Sequence, residues 1–359
     1  MRWTLSEEQV AYQAALRDWL AHVAPSSVVR EWLDDGDATG FEQRLLAEGW
    51  TGVGIPEHLG GQGGGLLEAA LTAEELARAA APSARWLATA LAVPALLGRP
   101  DLATGSLEGR PVVLLIPAER LPSRMRPLSL DAAGRVTGSV PRVLAAQGAS
   151  TYVVVVERDG DRSLRLVAAD ADGVHLTPRR LLDRSRSVAD VTLDSVPSEP
   201  LEGDVESVLA EISTLSAVLV SADSLGASER MLELAVDYSK QRHQFGVPIG
   251  SFQAVKHAAA TILVGVEAAR SVVYFAAASV QAQGHEYEMH AAAAKAQVTA
   301  EAARAADSAL TMHGAIGYTW EHDLQLFYKR AKLDEHLYGD PATWNDVLAT
   351  ALALVPPTT

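Results

Sequence analysis

The 359-residue sequence contains no cysteine, which excludes disulfides, thiol catalysis and zinc sites built on thiolates. Basic residues are fewer than acidic ones, with 30 Lys and Arg against 45 Asp and Glu, and the formal net charge is therefore -15. A nucleic-acid partner needs a basic footprint, so we expect none. No continuous apolar run approaches the about 20 residues of a membrane span, and the N-terminal segment does not resemble a signal peptide. We therefore expect a cytoplasmic protein without a membrane partner.

Helical patterns occupy both ends of the sequence and β-type patterns its middle. Ser6 is the N-cap of the first helical pattern, and short runs rich in Val and Leu, punctuated by Gly, Asp and Pro, lie between about 110 and 200. The fold class is therefore α+β, with a four-helix bundle at the C-terminal end and a barrel or sandwich in the centre. The predicted domains are an all-α domain over 1–108, a β-domain over 109–202 and a helical bundle over 203–359.

The run from 242 to 257 lies between two long helical patterns and brings a basic residue, an amide and an aromatic ring into one loop. Arg242 offers a fork of donors that matches phosphate oxygens. Gln244 adds an amide donor, and Phe245 adds a flat apolar face. The loop therefore predicts a binding site for a large phosphate-bearing ligand. The same composition also fits a capped and packed corner between two helices.

A second motif, from 312 to 323, lies at the next helix junction and contains His313, Gly314 and Gly317. Glycines let backbone N–H groups approach a ligand closely, and the start of the following helix favours negative charge. A plain helix-to-helix turn fits the same residues.

Together with the glycine-rich segment 49–65, the two motifs resemble the acyl-CoA dehydrogenase family over essentially the whole chain. The resemblance implies an FAD-dependent desaturation of an acyl-CoA thioester, with an electron-transfer flavoprotein as the acceptor. It also implies that the Arg242 loop of one subunit covers FAD held by its neighbour. The cofactor-binding residues that it implies are Arg242, Gln244, Phe245, Gln253, His313, Gly314 and Gly317.

The chain departs from the family where the reaction takes place. The two positions at which members carry the catalytic Glu fall on Ser216 and Tyr338, and neither is a carboxylate. Asp223 and Asp340 are candidate substitutes, although each also fits a helix-surface or turn residue. The central region lacks the Thr-Glu-Pro and Gly-Ser-Asp segments that hold the flavin ring in catalytic members. Thr311 also stands where many members have Gln.

This inventory resembles the base-lacking subunit of bacterial heteromeric (α2β2) acyl-CoA dehydrogenases that act on bulky or steroid side-chain acyl groups. The resemblance implies an FAD shared with a second acyl-CoA dehydrogenase subunit, which supplies the flavin platform and the Glu. One alternative is a self-sufficient homotetramer in which Asp223 or Asp340 is the base. Another is a flavin-free scaffold protein that keeps the fold alone. The sequence predicts no metal site.

Overall fold

The computed structural model describes residues 4–352, which fold as two compact units. The first unit comprises the residues up to Asp34, Leu66–Ala81 and the residues from Ala217 onward, and the second comprises Asp35–Gly65 and Pro82–Ser216. The α+β order of helices, strands and helices is confirmed. The predicted boundaries after 108 and 202 follow the type of secondary structure rather than this grouping, and they stay a prediction.

The first unit is helical. Its first helix begins at a capping box, in which Ser6 Oγ accepts from the Gln9 N–H at 3.2 Å and Gln9 Oε1 accepts from the Ser6 N–H at 2.9 Å. The alanine-rich α9 packs against α8, α10 and α11, while α4 packs against α1 and α8. The helices that lie wholly or mainly in this unit are α1 (Glu7–Val23), α2 (Ser26–Asp35), α4 (Leu66–Arg78), α7 (Val205–Gln241), α8 (Gln253–Gln281), α9 (Tyr287–His313), α10 (Leu324–Asp334) and α11 (Pro341–Ala351).

One glycine sets the distance between α4 and α7. A Cβ added at Gly226 on α7 would lie 1.9 Å from the carbonyl oxygen of Glu74 on α4. Only glycine permits this approach, since any larger residue would push the two backbones apart.

The second unit combines three short helices and the start of α7 with one mixed sheet. Its central strand, β4, has five consecutive buried residues, 152–156, so both of its faces are covered. The strands predicted as a barrel or sandwich form a single sheet in the order β6-β7-β3-β2-β4-β5-β8, with β1 parallel to β4. The elements are α3 (Thr39–Ala47), α5 (Ala84–Ala92), α6 (Pro100–Leu107), β1 (Val112–Leu114), β2 (Leu128–Leu130), β3 (Arg135–Leu144), β4 (Thr151–Arg158), β5 (Asp161–Ala168), β6 (Val174–Arg179), β7 (Val188–Pro197) and β8 (Glu199–Leu201).

Two helices, α7 and α8, are long and apolar enough to cross a membrane by length and composition. The expectation that no stretch approaches a membrane span was made on continuous apolar runs, and Ser, Thr and Gly interrupt the apolar runs of both helices. Of the most apolar 18 residues, 72% are buried inside the molecule in α7 but only 28% in α8. The composition of α7 is therefore that of a core helix, whereas most of the apolar stretch of α8 remains uncovered.

Candidate functional site

The loop between α7 and α8 is a tight β-hairpin with an aromatic residue at its tip. Strands β9 (His243–Gln244) and β10 (Val247–Pro248) pair across the two turn residues Phe245 and Gly246, whose φ angles are 53° and 82°. Two positive φ values in a two-residue turn are typical of type I′. Phe245 is 92% exposed. A large side chain at positive φ is costly, and such strain persists mainly at functional sites.

The hairpin and the turn after α9 form the walls of one groove of about 790 Å³. Arg242 and Gln244 line it from the hairpin side, and His313 and Gly314 line it from the end of α9. The structure therefore brings together residues from the two motifs that the sequence singled out separately.

The polar side chains of the hairpin are available to a ligand. The main chain of Arg242 is fixed, because its N–H donates to Tyr238 O at 2.9 Å and its carbonyl accepts from Ile249 N at 2.8 Å. Within residues 4–352, however, the side chains of Arg242 and Gln244 form no hydrogen bond or ion pair, and both residues are exposed. A fixed backbone with free donors suits the recognition of an anion.

The opposite wall is a stack of rings. His313 is buried, its Nδ1 lies 2.7 Å from Ala309 O, and its ring stacks on Tyr238 with centroids 4.8 Å apart. His322 meets His313 edge-on at 4.5 Å. Burial lowers the pKa of both imidazoles, so both are neutral at neutral pH. The stack therefore provides shape and support to the groove rather than positive charge.

The remaining residues of the predicted cofactor set have different surroundings. Gly314 has φ 62°, and nothing lies within 4 Å of an added Cβ, so its backbone is open to a ligand. A Cβ on Gly317 would lie 2.9 Å from His313 Cβ, so this glycine is required for packing under the turn. Gln253, the first residue of α8, is exposed but lies outside the lining of the groove. The cofactor contacts predicted for these residues stay predictions.

Asp223, the first candidate base, is engaged within the protein. Both of its carboxylate oxygens accept from Arg330, at 2.6 Å from Nε and 2.7 Å from Nη2. Arg330 is completely buried and also donates to Ala81 O at 2.8 Å. A carboxylate held on both oxygens by a buried guanidinium is a poor proton acceptor, because protonation would leave the arginine charge uncompensated.

The second candidate, Asp340, is the N-cap of α11. It accepts the Thr343 N–H at 2.8 Å, and hydrogen bonds from Thr343 lower the pKa of its carboxyl group. The preceding Tyr338 is buried with φ 57°, and its carbonyl accepts from Trp344 Nε1 at 3.2 Å. The other family position, Ser216, is buried and donates to Ser213 O at 2.8 Å. The structure thus gives each of these residues a local structural role.

The groove and its ring stack include residues that were not predicted as site residues, among them Tyr238, Thr319 and His322. Tyr238 lies one helical turn before Arg242, so the i, i+4 spacing on α7 could have placed it on the same face. His322 belongs to the second motif but carried no predicted role.

Two family models match this chain: the acyl-CoA dehydrogenase N-terminal domain over residues 6–100 and the C-terminal domain over residues 208–352. The chain belongs to the acyl-CoA dehydrogenase family. This membership supports an oxidoreductase activity, and members of the family bind FAD. The predicted family and fold are therefore confirmed.

Several acyl-CoA dehydrogenases from Mycobacterium tuberculosis are similar to the chain. IpdE2 is 34% identical over 330 residues, which are 89% of this chain and 89% of IpdE2. FadE34 is 31% identical over 360 residues, and the match covers 95% of this chain but only 47% of FadE34. In the solved ChsE4–ChsE5 complex, one chain is 25% identical with a TM-score of 0.86, and 99% of this chain and 100% of that chain are covered.

Proposed function

We propose that this chain is one subunit of a heteromeric, FAD-dependent acyl-CoA dehydrogenase of the cytoplasm. The complex oxidises an acyl-CoA thioester to its trans-2-enoyl-CoA, and this chain completes the FAD site of a catalytic partner. The observation that carries the proposal is a contrast: Arg242 and Gln244 are free in an open groove, whereas the candidate carboxylates are engaged elsewhere.

The groove suits the phosphate-bearing end of FAD. Arg242 provides charged donors, Gln244 an amide, and Gly314 an open backbone, and these groups recognise phosphate oxygens. When bound, FAD would supply the hydride acceptor that the desaturation requires. The residues of this chain would bind and orient the cofactor, while the partner would supply the carboxylate that removes the α-proton.

The surface around α8 provides a face for that partner. Only 28% of the most apolar stretch of α8 is buried, and Leu263 and Val264 on this helix are 48% and 69% exposed. The exposed Phe245 lies at the tip of the hairpin that precedes the same helix. An uncovered apolar surface of this kind marks an interaction site. We propose that a second acyl-CoA dehydrogenase subunit covers it, rather than lipid or nucleic acid.

The relatives are consistent with a paired arrangement. FadE34 has about as much sequence again outside the matched region, and the ChsE4–ChsE5 structure is of a complex of two named components. The resemblance to paired bacterial subunits favours a bulky acyl substrate, such as a steroid side-chain thioester. It also favours an electron-transfer flavoprotein as the acceptor.

Co-expression with the right partner tests the proposal. The partner is a second dehydrogenase, sought in the neighbouring reading frame, that has the Thr-Glu-Pro segment and a Glu at the position of Ser216. We expect little FAD on this chain alone, and flavin absorbance that bleaches with acyl-CoA on the co-purified complex. Stoichiometric flavin on the isolated chain, reduced by an acyl-CoA, would instead establish the self-sufficient homotetramer. Absence of flavin from every complex would favour the scaffold.

Arg242→Met is the sharpest variant for this test. A charge-assisted hydrogen bond contributes about 1.5–3 kcal/mol, so its loss should weaken FAD retention by the complex roughly 10- to 100-fold. The matched control is Arg44→Met, because Arg44 is an exposed arginine whose nearest carboxylate, that of Glu48, is 3.9 Å away. Equal FAD retention by the two variants, measured by equilibrium dialysis, would contradict the role of Arg242.

A further inference from the structure

Arg30 on α2 reaches the loop that follows the groove wall. Its Nε and Nη2 donate to Asp323 Oδ1 at 2.8 and 2.6 Å, its Nη1 donates to Trp320 O at 2.5 Å, and its Nη2 donates to Glu321 O at 3.0 Å. All three guanidinium nitrogens are thus used on residues 320–323. One side chain thereby ties together parts of the chain that are 293 residues apart in sequence.

The loop of residues 320–323 that Arg30 holds, the clamped loop, is continuous with one wall of the groove. Gly314 and Thr319 line the groove, and Arg30 holds the carbonyl of the next residue, Trp320. The other fixed point of the turn is Gly317, which packs tightly against His313. Between these anchors lies a 3₁₀ helix, Gly314–Tyr318, and Thr319 donates through its N–H and Oγ1 to Ile316 O. The Arg30 clamp thus fixes the end of this turn that is farther from α9.

The clamp also holds the ring stack. His322 lies inside the clamped loop and meets His313 edge-on at 4.5 Å. Movement of the loop would withdraw His322 from His313 and thus loosen the ring stack next to Gly314.

The Arg30 contact is stronger than an ordinary surface ion pair. The side chains of Arg30 and Asp323 are each only 25% exposed. Burial alone raises the pKa of Asp323, but hydrogen bonds from Ser26 and Arg30 outweigh it and lower the pKa. Ser26 and Arg30 lie one helical turn apart on α2, so both donate from the same face. A fork that satisfies two carbonyls and a carboxylate has a specific geometry that lysine cannot reproduce.

We propose that Arg30 is a positioning residue for the phosphate-binding groove. It does not contact the ligand, but it fixes residues 314–323 at the spacing that the groove requires. The identity of the ligand, FAD, rests on the proposed function. The positioning itself is a property of this chain and can be measured without a partner.

Hydrogen–deuterium exchange on the full-length chain tests the positioning. Arg30→Met removes the fork, Arg30→Lys keeps the charge, and Arg44→Met is the matched control at an exposed arginine. We expect Arg30→Met to speed amide exchange in peptides covering 314–326 at least tenfold, with no change in peptides of α4 or α8. Arg30→Lys should give an intermediate rate, and Arg44→Met should match the wild type. Unchanged exchange over 314–326, or an equal increase throughout the chain, would overturn the proposal.

A second readout connects the clamp to the ligand. In the complex with the flavin-carrying partner, Arg30→Met should weaken FAD retention several-fold. If exchange increases locally but FAD retention equals that of the wild type, the groove does not require the clamp and the proposal fails. If the wild-type chain does not alter FAD retention by any partner, the proposed function fails, and the exchange experiment alone then decides whether Arg30 positions the loop.

Discussion

The groove beside the hairpin and the helical interior differ in whether their charged side chains have partners within the protein. In the interior, Lys295 is fully buried and donates to the carbonyls of Asp334, Glu335 and Gly339, and Arg330 holds Asp223 on both oxygens. At the groove, Arg242 points its donors at no residue of the described chain. Buried polar groups must be satisfied internally, whereas unsatisfied exposed ones remain available to a ligand or a partner. The difference separates side chains whose partners lie within the protein from side chains that are available to a ligand.

The largest expected effect concerns Asp223. Asp223→Ala leaves the buried guanidinium of Arg330 without its counter-charge, so we expect the free energy of unfolding to fall by about 3–5 kcal/mol. Urea denaturation followed by circular dichroism measures the change. The matched variant Asp340→Ala removes only a helix cap and should cost about 1 kcal/mol.

This pair of variants tests whether the polar side chains of the interior have only a structural role. If Asp223→Ala folds with wild-type stability while the complex with its partner loses activity, then Asp223 is a catalytic base and the interior is not purely structural.

The second prediction concerns the pH dependence of stability and rests on Glu74. Burial raises the pKa of this carboxyl to about 8, and the charges of Glu229 and Glu75 add to the shift. Tyr274 OH and Gln13 Nε2 donate to it at 2.8 and 3.0 Å. The carboxyl group of the unfolded chain titrates near 4.5. Between pH 4.5 and about 8 the Glu74 carboxyl is protonated in the folded state but ionised in the unfolded state. The contribution of the protonated carboxyl to the free energy of unfolding is therefore complete below pH 4.5 and is lost as the pH rises to about 8.

Glu74→Gln isolates this contribution, since the amide has a similar shape but does not ionise. We expect the wild type to lose stability relative to the variant by about 1.4 kcal/mol per pH unit between pH 5 and 8. Urea denaturation at several pH values gives both curves. Parallel curves would show that Glu74 is ionised in the folded chain and that this part of the interior is less dry than its burial indicates.

The third prediction concerns Phe245 at the tip of the hairpin, where we expect the smallest change. Phe245→Asn relieves a left-handed backbone but removes the edge-to-face contact with Phe252, whose ring centroid is 6.1 Å away. Each contribution is about 1 kcal/mol, so the free energy of unfolding should stay within about 1 kcal/mol of the wild type. Association with the partner should weaken at least about tenfold, because exposed aromatic anchors dominate interfaces. Analytical ultracentrifugation of the mixed subunits measures it, and an unchanged affinity would place the interface elsewhere.

Much of the fold and the two motifs of the candidate site could be predicted from local patterns. The Ser6 cap, the long C-terminal helices and the Val-rich strands follow from short-range periodicity. The helix α5 was not predicted, because it is only nine residues long and nearly all of them are buried. The groove was predicted only in part. Local patterns indicated the motifs at 242 and 313, but they did not show that the two motifs line one groove or that Arg30 supports it.

The family could be recognised from the sequence, and candidate phosphate-binding residues could be predicted from it, because both depend on short runs whose chemistry is local. The sequence also determined that Ser216 and Tyr338 carry no carboxylate. Only the tertiary structure decided that Asp223 is paired with Arg330, that Gly317 serves packing, and that Arg30 supports the groove. The physical reason is that pairing and burial depend on contacts between distant segments, and these contacts decide whether a charged side chain stabilises the protein or remains available to a ligand.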